Sequence, residues 1–131
     1  MTRREEREAI FKTIFQLPFY SEAEELPEID IEDYKPSEKN SDYINAKVEN
    51  IKEKLPVIDE YIQKNSRGWK LNRIGKAELA ILRVGVYELI FDDDIPDAVA
   101  VNEAVELSKK FCNDKSSAFI NGVLANIMNQ K

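Results

Sequence analysis

The chain has 131 residues, 43% of them hydrophobic and 34% charged, with a net charge of −6. That composition describes one soluble folded domain long enough to bury its own core. With no histidine, one cysteine and four glycines, it excludes Ser–His–Asp and Cys–His catalysis, histidine or thiolate metal sites and a glycine-rich phosphate loop, so no cofactor or metal is expected.

Arg3 to about Leu17 predicts a first helix, with Ile10, Phe11, Ile14, Phe15 and Leu17 as its buried side and Pro18 as its stop. Arg3, Arg4 and Arg7 crowd its start, where the helix macrodipole favours acids. Glu5, Glu6 and Glu8 offset them in part. Two readings stand: a solvated, salt-bridged first turn, or an anion site for RNA phosphates.

Ser21 with Glu24 makes a capping-box pattern and predicts a short helix from Glu22 to Leu26, before Pro27. From Tyr20 to Asp42 nine acids stand against two lysines, so this stretch is expected to be solvated surface and the remainder is slightly positive. A helix is expected from Ser41, with Ile44, Val48, Ile51, Leu55, Ile58 and Ile62 on one face and a kink, not a stop, at Pro56. Asn65 to Gly68 closes it. Lys64 to Lys76 then carries five bases and no acid, which reads either as a second RNA track or as a solvated loop and helix start. Trp69, inside that run, is expected to plug the core.

Arg73 to Phe91 predicts a central buried helix capped by Asn72, because from Leu79 onward only Arg83 and Glu88 interrupt its apolar or small residues. Gly85 implies close approach of a neighbouring helix. After the turn Asp92 to Pro96, Asp97 is expected to cap a helix running to Phe111, with Val99, Val101, Val105 and Phe111 inward and Lys109 and Lys110 at its C-terminal end. Cys112 reads as a small residue packed near a helix end. Asn113 to Ser117 predicts a loop, with Ser116 capping a last helix that carries Phe119, Ile120, Val123, Leu124, Ile127 and Met128. Gly122 there implies another close approach. No stretch reads as a strand, so the fold is expected to be all-α, about six or seven helices in a single domain over residues 1–131. A polar N-terminus without a leader pattern and an unpaired cysteine fit a cytoplasmic protein without a membrane span.

Three phrases, RIGKAELAILRVGVYELIF, IPDAVAVNEAVELSKKF and SSAFINGVLANI, resemble in order and spacing the NusB family of transcription antitermination factors. RREEREAIFKTIFQ is similar to that family's first helix. The resemblance implies an all-α bundle in two packed halves that binds boxA RNA of nascent ribosomal transcripts together with NusE, a small-subunit ribosomal protein. Other Nus factors and RNA polymerase would complete the assembly, a homodimer is an open possibility, and no catalysis is implied.

Carried over by position, the resemblance implies RNA contacts at Arg3, Arg4, Arg7, Lys115 and Phe119, and a NusE contact at Glu78. Tyr87, Glu88, Asn102, Glu103, Asn121 and Gly122 would be structural, with polar pairs tying the central helix to the next one. Arg83 is a candidate partner for Glu103 or Glu106. Two alternatives remain open: an accessory domain working with a separate ribosomal RNA methyltransferase, and a helical protein–protein adaptor.

Overall fold

The computed structural model describes residues 2–16 and 38–131. They form six α-helices: α1 (Arg3–Gln16), α2 (Glu38–Glu53), α3 (Leu55–Asn65), α4 (Lys76–Phe91), α5 (Asp97–Phe111) and α6 (Asp114–Asn129). A short 3-10 turn, Leu71–Arg73, precedes α4, and every regular element among the described residues is helical. The expected helix from Glu22 to Leu26, its Ser21 cap, Leu17, Pro18 and most of the acidic stretch lie outside the described residues.

Helix α4 packs against all five others, while α1 with α2 and α5 with α6 form neighbouring pairs that it joins. Its side chains explain this position: Leu79 to Leu82 and Val84 to Leu89 are all buried. An apolar stripe of ordinary width would need one neighbour; a surface apolar on nearly every side is satisfied only by a ring of them. Gly85 makes the closest approach. A methyl group there would lie 2.8 Å from Leu124 Cδ1 of α6 and 3.5 Å from Ala104 Cβ of α5. The second half of the core is the stripe Ile44, Val48, Ile51, Ile58 and Ile62, which is buried as its spacing predicts.

The chain departs from the expected elements at several points. Lys54 separates α2 from α3 where one kinked helix was expected. Pro56 has no N–H to offer the Lys52 carbonyl, and the backbone tightens instead, with Lys54 N–H donating to Ile51 O at 3.1 Å. Helix α3 then restarts with proline in its first turn, a favoured position. Helix α2 begins at Glu38, ahead of Ser41. Helix α4 begins at Lys76, with Gly75 and not Asn72 at its N-cap. Pro96 is the N-cap of α5, and Asn113, whose side chain accepts from Ser116 N–H at 2.9 Å, caps α6 in place of Ser116.

Two side chains expected inside are outside. Trp69 is 55% exposed and Val99 43% exposed. Val99 and Val101 stand about 200° apart around a helix, so they cannot share the inward face, and Val101 takes it. Trp69 follows Arg67 (φ 51°) and Gly68 (φ 86°), two consecutive left-handed residues that turn the chain away from the core. Gly122 also differs from expectation, since a methyl group there would meet nothing within 4 Å.

The two helical glycines therefore call for substitutions of opposite sign. Leu124 is fully enclosed, so Gly85→Ala should lower stability to urea by about 1–3 kcal/mol through overpacking, less the propensity gain. Gly122→Ala should raise stability by about 0.5–1 kcal/mol. Equal shifts for both variants in chemical denaturation would contradict the packing described here.

Candidate nucleic-acid interface

The first turn of α1 is built from its own charges. Thr2 Oγ1 accepts from Glu5 N–H at 3.1 Å, and Thr2 N–H donates to Glu5 Oε1 at 3.3 Å, a reciprocal capping box. Sequence reasoning missed this signal, although the Thr2-x-x-Glu5 spacing carries it. Glu5 and the buried Glu6 give the helix start the negative charge its dipole favours, which lets three arginines occupy the same turn and the next.

Those arginines have different surroundings. Arg7 lies buried, its Nε donating to both carboxylate oxygens of Glu88 on α4 at 2.8 and 3.0 Å, with side-chain exposures of 9% and 7%. Arg7 therefore fixes α1 to α4 through Nε, and the residue also forms part of the wall of the two grooves on either side of α1. Arg4 binds Glu103 on α5 through Nε and Nη2, both at 3.1 Å, yet its side chain is 64% exposed. Hydrogen bonding and charge from Glu103 push the Arg4 guanidinium above its already high ordinary value, so its cation is permanent. Arg3 is 70% exposed, pairs with Glu6 at 3.3 Å and lies 4.4 Å over the ring of Tyr43 on α2.

Tyr43 and Lys47 complete this end of the site, and neither was singled out in the sequence. They sit four apart beside the apolar stripe of α2. Lys47 Nζ donates to Asp92 at 2.6 Å and lies near the Tyr43 and Tyr87 rings. Burial works against the Lys47 charge, but the hydrogen bond and charge of Asp92 outweigh it and hold the ammonium above its ordinary value. The buried Asp92 stands at the C-cap of α4, where a carboxylate opposes the dipole and a lysine relieves it. Together these groups line a groove of about 310 Å³ between α1, α2 and the α4–α5 turn.

A second groove runs between α1 and α5, lined by Arg4, Glu8, Glu103, Glu106, Lys109 and Lys110. Lys110 pairs with Glu8 across it at 2.8 Å, and Phe11 meets Phe111 with ring centroids 5.0 Å apart. The two helices thus run side by side from Arg4–Glu103 to Phe11–Phe111, about 12 Å along the helix axis. Exposed Lys115 sits just beyond that end, in the first turn of α6 and not in a loop. Phe119 is one turn further, half-buried against the core. Arg4 shares this groove with Lys109 and Lys110, Arg3 lines the groove against α2, and Lys115 and Phe119 belong to α6, past the end of α5.

Glu78, in the first turn of α4, is half-buried and accepts from Ser116 Oγ at 2.7 Å. Burial, with the charge of Glu78 and a hydrogen bond to it, pushes the nearby Cys112 thiol up to about 11, so it is protonated at neutral pH and unreactive. The expected polar link between α4 and α5 takes another form: Glu88 and Glu103 both hold α1, and Tyr87 Oη accepts from Asn50 of α2 at 3.3 Å. Asn102 and Asn121 are exposed and Gly122 half-buried. Arg83 pairs with Asp59 of α3 through two bonds of 2.9 Å, not with Glu103 or Glu106. Five positions separate it from Glu88, about 140° around the helix, so it faces a different neighbour.

A family model described as the NusB family matches residues 4–129. A transcription antitermination protein NusB from Ruminiclostridium cellulolyticum is 42% identical over 128 residues, covering 97% of this chain and 88% of its own. Among solved structures, T. maritima NusB is similar with a TM-score of 0.83 and 35% identity, covering 99% of this chain and 92% of its own. A structure of antitermination factors NusB and NusE in complex with dsRNA is similar with a TM-score of 0.76 and 25% identity, covering 98% and 97%. Among the described residues no helix is long and apolar enough to cross a membrane.

The buried pair makes a stability prediction with a defined pH dependence. Arg7→Ala should cost about 3–5 kcal/mol near neutral pH, because it strands the Glu88 carboxylate. Burial already holds the Glu88 carboxyl above its ordinary value against the lowering effect of Arg7, and losing Arg7 raises it further. A carboxyl whose folded value exceeds its unfolded one stabilises the fold while protonated and loses that contribution as pH rises through the folded value. The Arg7→Ala deficit should therefore shrink as pH falls from neutral through the raised Glu88 value. A deficit independent of pH in urea titrations would contradict the assignment.

Proposed function

The chain belongs to the NusB family, and from that membership we propose that it acts in transcription antitermination, binding a boxA-type RNA together with a NusE-type ribosomal protein. The similarity over 98% of this chain to a solved NusB–NusE–dsRNA complex carries the reading. The described surface supports it: Arg3 and Arg4 present exposed guanidinium groups at the start of α1, and an exposed Lys115 and a half-buried Phe119 stand in the first turns of α6. Guanidinium groups bind phosphates bidentately, and an exposed ring edge can take an unstacked base. Glu78, on the α4 end beside Ser116, is the proposed protein-partner contact. We assign the chain no chemistry of its own. Its role is to hold RNA and partner as one cytoplasmic domain of a larger assembly with other Nus factors and RNA polymerase.

Four of these cations are backed by carboxylates: Arg3 by Glu6, Arg4 by Glu103, Lys109 by Glu106 and Lys110 by Glu8. An incoming phosphate competes with those acids, so binding by this protein alone is modest and salt-sensitive, and a partner that adds its own grip on the same RNA raises it. Mixed with a NusE-type protein, the chain should bind boxA-type RNA at least about tenfold more tightly than alone. Replacing Arg3 and Arg4 by alanine should weaken that complex and flatten its salt dependence by about 1.4 in logarithmic slope, about 0.7 for each single-strand phosphate no longer neutralised. Unchanged affinity and slope in the double variant would remove the N-terminal turn from the interface. Absence of enhancement by the partner would favour an adaptor without RNA.

A further inference from the structure

The antitermination reading leaves unused the most basic stretch of the chain. Lys64 to Lys76 carries Lys64, Arg67, Lys70, Arg73 and Lys76 with no acid. The structure gathers Arg67, Trp69, Lys70, Asn72 and Arg73 around one shallow concavity, and no carboxylate lines it. That differs from the α1 groove, where acids oppose the bases. Trp69 in its midst is 55% exposed, a large apolar face turned to water among cations.

The loop that holds Trp69 is tightly fastened. Ser66, fully buried, donates its hydroxyl to Trp69 O at 2.7 Å, and Gln63 Nε2 donates to the same oxygen at 2.9 Å. Gln63 Oε1 accepts from Leu71 N–H at 3.1 Å, and Trp69 N–H donates to Ser66 O at 3.1 Å. Arg67 at φ 51° adopts a backbone conformation that non-glycine residues seldom take. These bonds fix the backbone on both sides of the indole, so presenting the ring to a ligand costs little ordering entropy.

We infer that Trp69, with Arg67, Lys70 and Arg73, is a second binding site for single-stranded RNA, one base stacking on the indole while the flanking phosphates meet the three cations. A rigid aromatic face bordered by bases is the combination by which proteins hold unpaired nucleotides without reading their sequence. An acidic peptide would satisfy the charges but leave the indole without a planar partner. Position supports the same ligand: the loop enters α4 at the end where Glu78 meets Ser116, the end of the bundle that carries Lys115 and Phe119. Nucleotides flanking the segment held along α1 and α5 would find this site there. The inference rests on the reading of the chain as RNA-binding, but on residues outside that interface.

Trp69 is the one tryptophan of the chain, so its emission reports this site directly. Titration with a short oligouridylate should quench it saturably, and the quench should persist in the Arg3→Ala/Arg4→Ala variant. Inorganic polyphosphate, which carries charge without bases, should not reproduce it. Trp69→Leu, a change at an exposed position, should weaken binding of a labelled oligouridylate about 5- to 100-fold, while Trp69→Tyr should retain most of it. Silent tryptophan emission while labelled boxA-type RNA still binds would overturn this site and leave the α1 interface standing. Equal quenching by polyphosphate would overturn stacking. A response to a NusE-type protein without RNA, and none to RNA, would make the surface a protein contact and overturn the inference. Failure of the wild-type protein to bind any RNA would remove both sites together.

Discussion

One buried ion pair sets the geometry on which the interface depends. Arg7 and Glu88, each nearly closed to solvent, join α1 to α4 beside a core dominated by Ile, Leu, Val and Ala. Two charges withdrawn from water are costly, and well-packed apolar residues often serve stability as well. What the pair does supply is register. Helix α1 can slide or rotate on α4 only by breaking bonds of 2.8 and 3.0 Å in a region largely closed to solvent. With α1 locked, Arg3 falls over Tyr43 and Arg4 against Glu103, and both guanidinium groups project from one edge of the bundle. Burying one arginine thereby positions the other two.

The apolar pattern made most of the architecture legible. Spacings of three and four located the stripe Ile44 to Ile62, and the nearly uninterrupted run after Leu79 identified α4 as the helix that others surround. Gly85 signalled a close approach that Leu124 and Ala104 provide. Gly122, also in a helix interior, signalled nothing, because a glycine reports only that space is allowed and not that it is used. Helix ends were less legible: Asn72, Ser116 and Asp97 are all good cap residues, yet the caps fall at Gly75, Asn113 and Pro96.

The site was harder to read than the fold because charge pairing is decided between helices. An arginine on a predicted first turn has the same local pattern whether it points to water or to Glu88, so Arg3, Arg4 and Arg7 could not be separated by spacing alone. The partners of Glu103 and Arg83 depended on which neighbours α4 and α5 acquire, and those came from α1 and α3. Trp69 was misplaced for a related reason. Aromatic content favours burial on average, but the left-handed pair Arg67–Gly68 and the bonds from Ser66 and Gln63 turn this one outward. The surface that results has two characters: cations paired with acids along α1 and α5, and unopposed cations around an aromatic ring before α4.

Under the proposed function the first helix divides its labour, with Arg7 holding the fold and Arg3 and Arg4 meeting the transcript. The most direct test of that division is the guanidinium NMR spectrum, followed at the arginine Nε–H resonances while boxA-type RNA and a NusE-type partner are added. The Arg7 resonance should stay in place and remain slow to exchange throughout, while those of Arg3 and Arg4 shift as the RNA saturates. A shift of Arg7 on RNA binding, with Arg3 and Arg4 unmoved, would contradict the account at its root.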